Sequence, residues 1–389
     1  MTMGVEDVSQ RFELIDFLDV HTSLSDDTVR LALSGPGTKG LAPITFCLAS
    51  VAVTFLPGES TKIVLDAAES ATCVVRFRDE RAFSDFFHEL RSAPGAHVTG
   101  GIIFERGSFG MLDDWEPAIR AIYQGRPVFD PTCIDRSRID REFMFNEDSD
   151  TDIGHFVSEF GFAVVKKVFT ANEIDEMNAA IRELELRATD DSPNTWWTTT
   201  PDGTDVPCQI HYATLRAPDI GWVEHDERVT RLLKACFPDL VAHSDRMNGH
   251  FAVLKRPGAR AGLTDLTWHI DCGLGGHTLL CPGLHIGIQL TASNPELGAF
   301  KVLAGSHFSS VRRASVDVDT WPVVTVSTEP GDVTIHVPHV MHAAPPPTTT
   351  GEGRRTLYLG FGQPLAHDII GAGNAFDDLL ASSDVRHLK

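Results

Sequence analysis

Thr267-Trp268-His269-Ile270-Asp271 is the stretch whose reading decides this fold. On a β-strand, residues i and i+2 point to the same side, so His269 and Asp271 would present one imidazole and one carboxylate to the same space. His342 is the candidate third donor, with His336 and His339 competing for the place. Two histidines and one carboxylate on one face are the donor set of mononuclear non-haem Fe(II) sites, which keep positions open for a co-substrate and O2. A lone His-x-Asp carries little weight, because short motifs recur by chance and most such pairs sit at a surface or a strand edge. The context on either side has to decide.

Downstream comes Gly298-Ala299-Phe300-Lys301-Val302-Leu303-Ala304-Gly305-Ser306-His307. Pro330-Gly331-Asp332 then opens an apolar strand, Val333-Thr334-Ile335, which runs into His336-Val337-Pro338-His339-Val340-Met341-His342. Arg354-Arg355 precedes a last apolar strand over residues 356–361. This order of motifs, across residues 152–364, resembles the phytanoyl-CoA dioxygenase family of Fe(II)/2-oxoglutarate oxygenases. In that family an HxD strand is followed by a GSH-type turn, a GD turn, a distal histidine and an arginine.

The resemblance implies a double-stranded β-helix (jelly roll), and it chooses among the residues. His342 lies eleven residues after Gly331, the family's spacing from the GD turn to the distal ligand. His269, Asp271 and His342 would then hold Fe(II), and His336 and His339 would be supporting or surface groups. Arg354, twelve residues beyond His342, would set its planar fork against the distal carboxylate of 2-oxoglutarate. Arg355 would point to the opposite face of the strand. Gln209 matches a position at which relatives carry a co-substrate glutamine. The chain departs from the family at Ala344, where serine is common, and at Phe300, where many relatives have threonine. Both changes remove hydroxyls that could meet 2-oxoglutarate. Related halogenases replace the carboxylate ligand by a small residue; with Asp271 present, the expected reaction is hydroxylation, desaturation or a related C–H oxidation. The expected substrate is a small apolar or natural-product-like molecule.

The 389 residues carry a net charge of −21 at pH 7, and such a surface repels phosphate backbones and anionic bilayers. Nucleic acid is therefore not an expected partner. Seven cysteines with no CxxC pair suggest reduced thiols in a cytoplasmic protein. Cys272 follows Asp271, so it would point away from the metal, and it reads as packing. The first residues lack the basic and apolar regions of a signal peptide. The most apolar run, residues 41–57, is too short to span a membrane, and it reads as a buried strand pair.

The N-terminal part shows short β-rich runs at 29–33, 51–55, 62–65 and 73–77, separated by Gly, Pro and Ser. An amphipathic helix at about 80–91, a strand at 99–104 and a helix at about 113–123 follow. This predicts a small α+β domain over residues 1–130. Residues 71–113, with Gly100-Gly101-Ile102-Ile103-Phe104-Glu105-Arg106-Gly107, resemble the sterol-carrier-protein-2 family, which implies an apolar tunnel. Phe83, Phe86, Phe87 and Trp115 would line that tunnel or else form a plain core. Residues 131–151, rich in alternating charge, read as a linker.

Residues 152–389 are expected to form the mainly β jelly-roll domain with flanking helices. Thr170-Ala171-Asn172-Glu173 is a capping box that starts a helix. Trp196 and Trp197 sit in a polar stretch read as a loop over the site, where they would touch substrate. Two other readings compete. A non-catalytic cupin-like or lipid-binding carrier protein leaves the full donor set and Arg354 without a use. A zinc hydrolase could employ two histidines and an aspartate, but no general base is apparent nearby.

Overall fold

The computed structural model describes residues 8–189, 192–259, 264–272, 275–349 and 353–376. Residues 41–57 form a hairpin, β1 (Ile44–Leu48) and β2 (Val51–Leu56), paired antiparallel. With β3 (Lys62–Val64), β4 (Cys73–Phe77) and β5 (Ile102–Arg106) they make a five-stranded sheet in the order β3-β2-β1-β4-β5, in which β1 and β4 run parallel. Helices Glu80–Phe87 and Phe109–Gln124 bury Phe83, Phe86, Trp115, Ile119 and Ile122 in one cluster with Phe46, Phe55 and Phe77 of the sheet. Phe83 meets Phe77 edge-on at 5.3 Å and Phe17 at 4.8 Å, and Trp115 Nε1 donates to the Ala42 carbonyl at 2.9 Å. Phe83, Phe86 and Trp115 thus fill a core rather than line a tunnel. Residues 29–33, expected as a strand, belong to the helix Thr28–Ser34. Asp27 caps it by accepting from the Arg30 N–H, and Arg-Leu-Ala-Leu after the single β-branched Val29 are strong helix formers.

Residues 131–151 do not hang free. Ile139, Phe143 and Phe145 join the larger core, and β6 (Phe143–Met144) pairs in parallel with β7 (Phe162–Lys166). Helix Asp150–Phe160 is capped by Ser149 and ends at Gly161, whose φ of 81° returns the chain into β7. A Cβ at Gly161 would come within 2.6 Å of His307 Nδ1, so the turn needs glycine twice over. Helix Ala171–Arg187 carries the expected capping box, Thr170 with Glu173.

Eleven further strands follow among the described residues: β8 (Thr195–Thr199), β9 (Asp205–Ile210), β10 (Val241–Ala242), β11 (Phe251–Lys255), β12 (Leu266–His269), β13 (Leu284–Gln289), β14 (Lys301–Leu303), β15 (Val323–Thr325), β16 (Val333–His336), β17 (His342–Ala344) and β18 (Arg354–Gly362). The larger sheet runs β6-β7-β16-β13-β18-β11-β9-β8, with β10 also on β18. The smaller runs β12-β17-β14-β15. The molecule is thus a mixed α and β structure. Trp196 and Trp197 lie on β8, not in a loop, because Thr-Trp-Trp-Thr-Thr suits a pleated, half-buried surface.

Alternation decides what each strand offers. On β13, Leu284, Ile286 and Ile288 face the core, as do Leu357, Leu359 and Phe361 on β18. His285 and Tyr358 point the other way, toward a cavity. Two turns fix the ends of the strands that carry His336 and His342. In the turn before β16, Asp332 accepts from the Lys167 and Glu329 N–H groups at 2.9 and 2.7 Å and meets Lys166 Nζ at 2.7 Å. In the turn after β14, Ser306 Oγ donates to the Leu303 carbonyl and accepts from the Met341 N–H at 2.8 Å, one residue before His342. His307 donates from Nε2 to the Ser158 carbonyl, 3.0 Å away. No helix among the described residues is long and apolar enough to cross a membrane.

Candidate metal centre and active site

β12 and β17 pair with His269 opposite His342, which brings the two imidazoles to a centroid distance of 4.2 Å. The Asp271 N–H donates to the Pro338 carbonyl at 2.8 Å and so fixes the carboxylate just beyond the strand end. Asp271 Oδ1 lies 3.7 Å from His269 Nε2 and 3.4 Å from His342 Nε2. The other nitrogen of each ring faces a backbone carbonyl: His269 Nδ1 is 2.7 Å from Thr267 O, and His342 Nδ1 is 2.9 Å from Val340 O. An N–H at Nδ1 satisfies each carbonyl and leaves the Nε2 lone pair free for a metal. His269, Asp271 and His342 offer donor atoms that all lie within 4.8 Å of one another. Two neutral imidazoles and one carboxylate, with no thiolate among them, suit Fe(II).

Asp271 Oδ2 faces a second pair. His285 Nδ1 is 3.1 Å away and His336 Nε2 3.3 Å. The two rings come from a cross-strand pair of β13 and β16. His336 Nδ1 is buried without a partner among the described residues, which favours the proton on the nitrogen that meets the carboxylate. Burial alone would raise the Asp271 carboxyl. The His342 charge and the hydrogen bonds from His285, His336 and His342 outweigh it and hold the group well below the usual range. His342 shows the converse: burial lowers it, but Asp271 raises it further, for a net rise. His269 is pushed down to about 3, by burial first and by the His342 charge second.

Arg354 opens β18 on the cavity side and is 2% exposed. Its Nη1 donates to Thr356 Oγ1 at 3.2 Å, while its Nε is buried with no partner among the described residues. A buried guanidinium with an unmet donor is a site for an anion, since an unsatisfied charged donor costs more than a missing hydrogen bond contributes. Arg355 turns to the opposite face, where Nη2 lies 3.7 Å from Glu185 of the flanking helix. It is a buried structural cation rather than a surface charge.

A cavity of about 420 Å³ joins these groups. His269, Asp271, His342, His285, His336, Arg354 and Gln209 line it, with Trp196, Phe251, Phe300 and Tyr358 as its aromatic wall. Trp197, one residue on from Trp196, is not on the lining. Phe300 stacks obliquely on His342 at 5.3 Å and on His336 at 5.0 Å, so the residue that replaces a family threonine presents a ring to the site. Sequence reasoning missed His285, for which the signal was its place on the polar side of an alternating strand. It also missed Lys255, paired with Arg354 across β11 and β18. Lys255 Nζ donates to the carbonyls of Thr264 and Ala344 at 2.6 and 2.5 Å. Burial, with the Arg354 charge, pushes its amine down to about 7. His339, one of the three competing histidines, lies in a different cluster, 3.0 Å from Cys272 Sγ.

The model of the phytanoyl-CoA dioxygenase family matches residues 157–356. No curated protein is detectably similar to the chain. Among solved structures, AviO1 from Streptomyces viridochromogenes Tue57 is 24% identical, covering 56% of this chain and 96% of its own, with a TM-score of 0.45. SnoK, a non-heme alpha ketoglutarate dependent carbocyclase from nogalamycin biosynthesis, is 19% identical over 57% of this chain and 87% of its own, with a TM-score of 0.45. EctD from S. alaskensis, solved with 2-oxoglutarate and 5-hydroxyectoine, is 17% identical over 61% and 82%, with a TM-score of 0.45.

Proposed function

The chain belongs to the phytanoyl-CoA dioxygenase family of Fe(II)- and 2-oxoglutarate-dependent, O2-using enzymes, and from that premise we propose that it oxidises a C–H bond of a small apolar, natural-product-like molecule at a centre formed by His269, Asp271 and His342. The observation that carries this reading is the convergence of both Nε2 atoms on one oxygen of Asp271, each with its Nδ1 held by a carbonyl. We read the larger and smaller sheets as the two walls of a jelly roll, carried by the described residues from 152 onward with β6 (Phe143–Met144) added at one edge. We read residues 1–130 as an α+β domain, and residues 131–151, expected as a linker, as a segment packed onto the larger core.

When bound, the iron supplies the redox chemistry that couples O2 to oxidative decarboxylation of 2-oxoglutarate. The chain's own residues hold and shelter. His269, Asp271 and His342 would hold the metal, while His285 and His336 meet Oδ2 of Asp271 and fix the carboxylate plane. Arg354 would pair with the distal carboxylate of 2-oxoglutarate, and Lys255 braces the Ala344 carbonyl. Gln209 adds an amide near the co-substrate. Trp196, Phe251, Phe300 and Tyr358 exclude water and receive an apolar substrate. Trp197 has no such role.

The test is an anaerobic titration with Fe(II) and 2-oxoglutarate, read by the metal-to-ligand charge-transfer band in the visible. One Fe(II) per chain is expected, and the band should grow only after 2-oxoglutarate is added. In air, with candidate substrates, succinate should form. Failure to bind Fe(II), or a carrier that holds ligand without consuming 2-oxoglutarate, would overturn the reading.

A further inference from the structure

Asp271 faces the cavity, but Cys272 turns away from it into a second cluster. Cys272, His277, Cys281 and His339 bring one donor atom each within 4.8 Å of one another. Cys272 Sγ lies 3.0 Å from His339 Nδ1, 3.8 Å from His277 Nδ1 and 4.0 Å from Cys281 Sγ. The two imidazole centroids are 4.2 Å apart. At tetrahedral zinc, with Zn–S near 2.3 Å and Zn–N near 2.0 Å, pairs of donors stand roughly 3.3–3.8 Å apart. We propose that Cys272, His277, Cys281 and His339 form a structural zinc site, distinct from the iron centre.

Donor chemistry separates the two. Two thiolates and two imidazoles close a tetrahedron around Zn2+ and leave no position open for substrate. The ring nitrogens turned to the cluster are both Nδ1, which leaves Nε2 of His277 to face outward. It lies 3.7 Å from Glu89 Oε2, and a carboxylate receiving the far N–H is the usual support of a zinc-bound histidine. Glu89 is itself held, by Arg126 at 2.9 and 2.5 Å. The backbone agrees: Gly276 and His277 N–H groups donate to the Glu89 carbonyl at 3.0 and 3.1 Å. A Cβ on Gly275 would meet the Leu90 carbonyl oxygen at 2.3 Å, so this loop is built to lie against residues 89–91. Zinc here would bind together the stretch after Asp271 and the segment three residues before His342, with Glu89 of the N-terminal part against the bound His277.

The test uses full-length protein stripped of labile iron with EDTA, its metals measured by mass spectrometry. One zinc per chain should remain. Cys281→Ser should lower zinc at least tenfold and still bind Fe(II) anaerobically. Because that variant could fail to fold, wild-type protein freed of its zinc by a stronger chelator, 2,6-pyridinedicarboxylate, is also titrated with Co2+. Thiolate-to-cobalt charge transfer and intense tetrahedral d–d bands are expected, both erased by added Zn2+. The proposal is overturned by wild-type protein that takes up no zinc, by a cobalt spectrum without thiolate bands, by zinc that is lost in His269→Ala but kept in Cys281→Ser, or by a Cys272–Cys281 disulfide in protein purified under reducing conditions. Iron binding is read by its own anaerobic Fe(II) titration, so the two proposals fail separately.

Discussion

Asp271 stands among four imidazoles, and its two oxygens divide them. Oδ1 meets His269 and His342, and Oδ2 meets His285 and His336. Replacing His269, Asp271 or His342 by alanine should abolish turnover and bring iron content from near one per chain toward zero, with the far-ultraviolet circular dichroism unchanged. An iron-replete His342→Ala would remove that residue from the centre. His336→Asn is expected to be milder, with Fe(II) affinity lowered roughly 10–100-fold, the usual cost of losing a group that orients a ligand; an unchanged affinity would make His336 a packing residue. Arg354 and Arg355 differ by which face of β18 they use. Arg354→Ala should raise the KM for 2-oxoglutarate roughly tenfold to a hundredfold, from about 1.5–3 kcal/mol for a charged hydrogen bond. Arg355→Ala should act on thermal stability through Glu185 and leave that KM nearly unchanged. The reverse order in KM would place the co-substrate on the wrong side of the strand. The opposite facing of Arg354 and Arg355 was legible in the sequence from strand alternation, with family spacing choosing Arg354, whereas Asp271 lies past the end of β12 and is aimed by its N–H on the Pro338 carbonyl. His285 was not, because only pairing with His336 across two strands far apart in the chain brings it to Asp271.

At the scale of elements, local signals carried as far as local physics does. The capping box at Thr170 and Glu173 was legible, since both partners lie within one turn. What was not legible is that Glu173 also receives Arg228, 55 residues on, at 2.7 Å. That Arg228 hydrogen bond is the first cause that depresses the Glu173 carboxyl, to about 2. A carboxyl depressed in the folded state contributes stability above its unfolded value, near 4.5, and loses it as the pH falls through about 2. Glu173→Gln should therefore lower the unfolding free energy at pH 7, measured by urea titration, by about 1 kcal/mol on the scale of helix caps. The gap to wild type should close between pH 4.5 and 2. A pH-independent gap would mean the loss is steric. The tryptophans and the helix Thr28–Ser34 went the other way. Surrounding polar residues made Thr195–Thr199 look like a loop, although pairing with β9 makes it a strand. A single valine made residues 29–33 look extended, although Asp27 caps them as a helix.

For the whole molecule, the question is what the N-terminal part does for the cavity. Composition showed a change of character near residue 130, but it could not show which side residues 131–151 favour. Ile139, Phe143 and Phe145 answer that by packing into the larger core. Further contacts cross from residues 1–130. Asp114 pairs with Arg312 at 2.6 Å, Asp113 lies 3.9 Å from Arg313, and Arg313 and Pro94 both line the cavity. Two truncations separate these contributions. A chain beginning at residue 134 keeps Phe143 and Phe145 and should fold and bind Fe(II). It loses Pro94, Asp113 beside Arg313 and Asp114, which holds Arg312, so the KM for substrate should rise severalfold with 2-oxoglutarate binding little changed. A chain beginning at residue 150 also loses Phe143, which is wholly buried. Deleting a buried phenylalanine costs about 3–5 kcal/mol, which for a domain of this size lowers the melting temperature by roughly 6–20 °C. Calorimetry on the two chains checks the second effect and steady-state kinetics the first. Equal melting temperatures would make residues 134–149 a true linker after all. Full turnover at an unchanged KM in the longer chain would remove residues 1–130 from the making of the site.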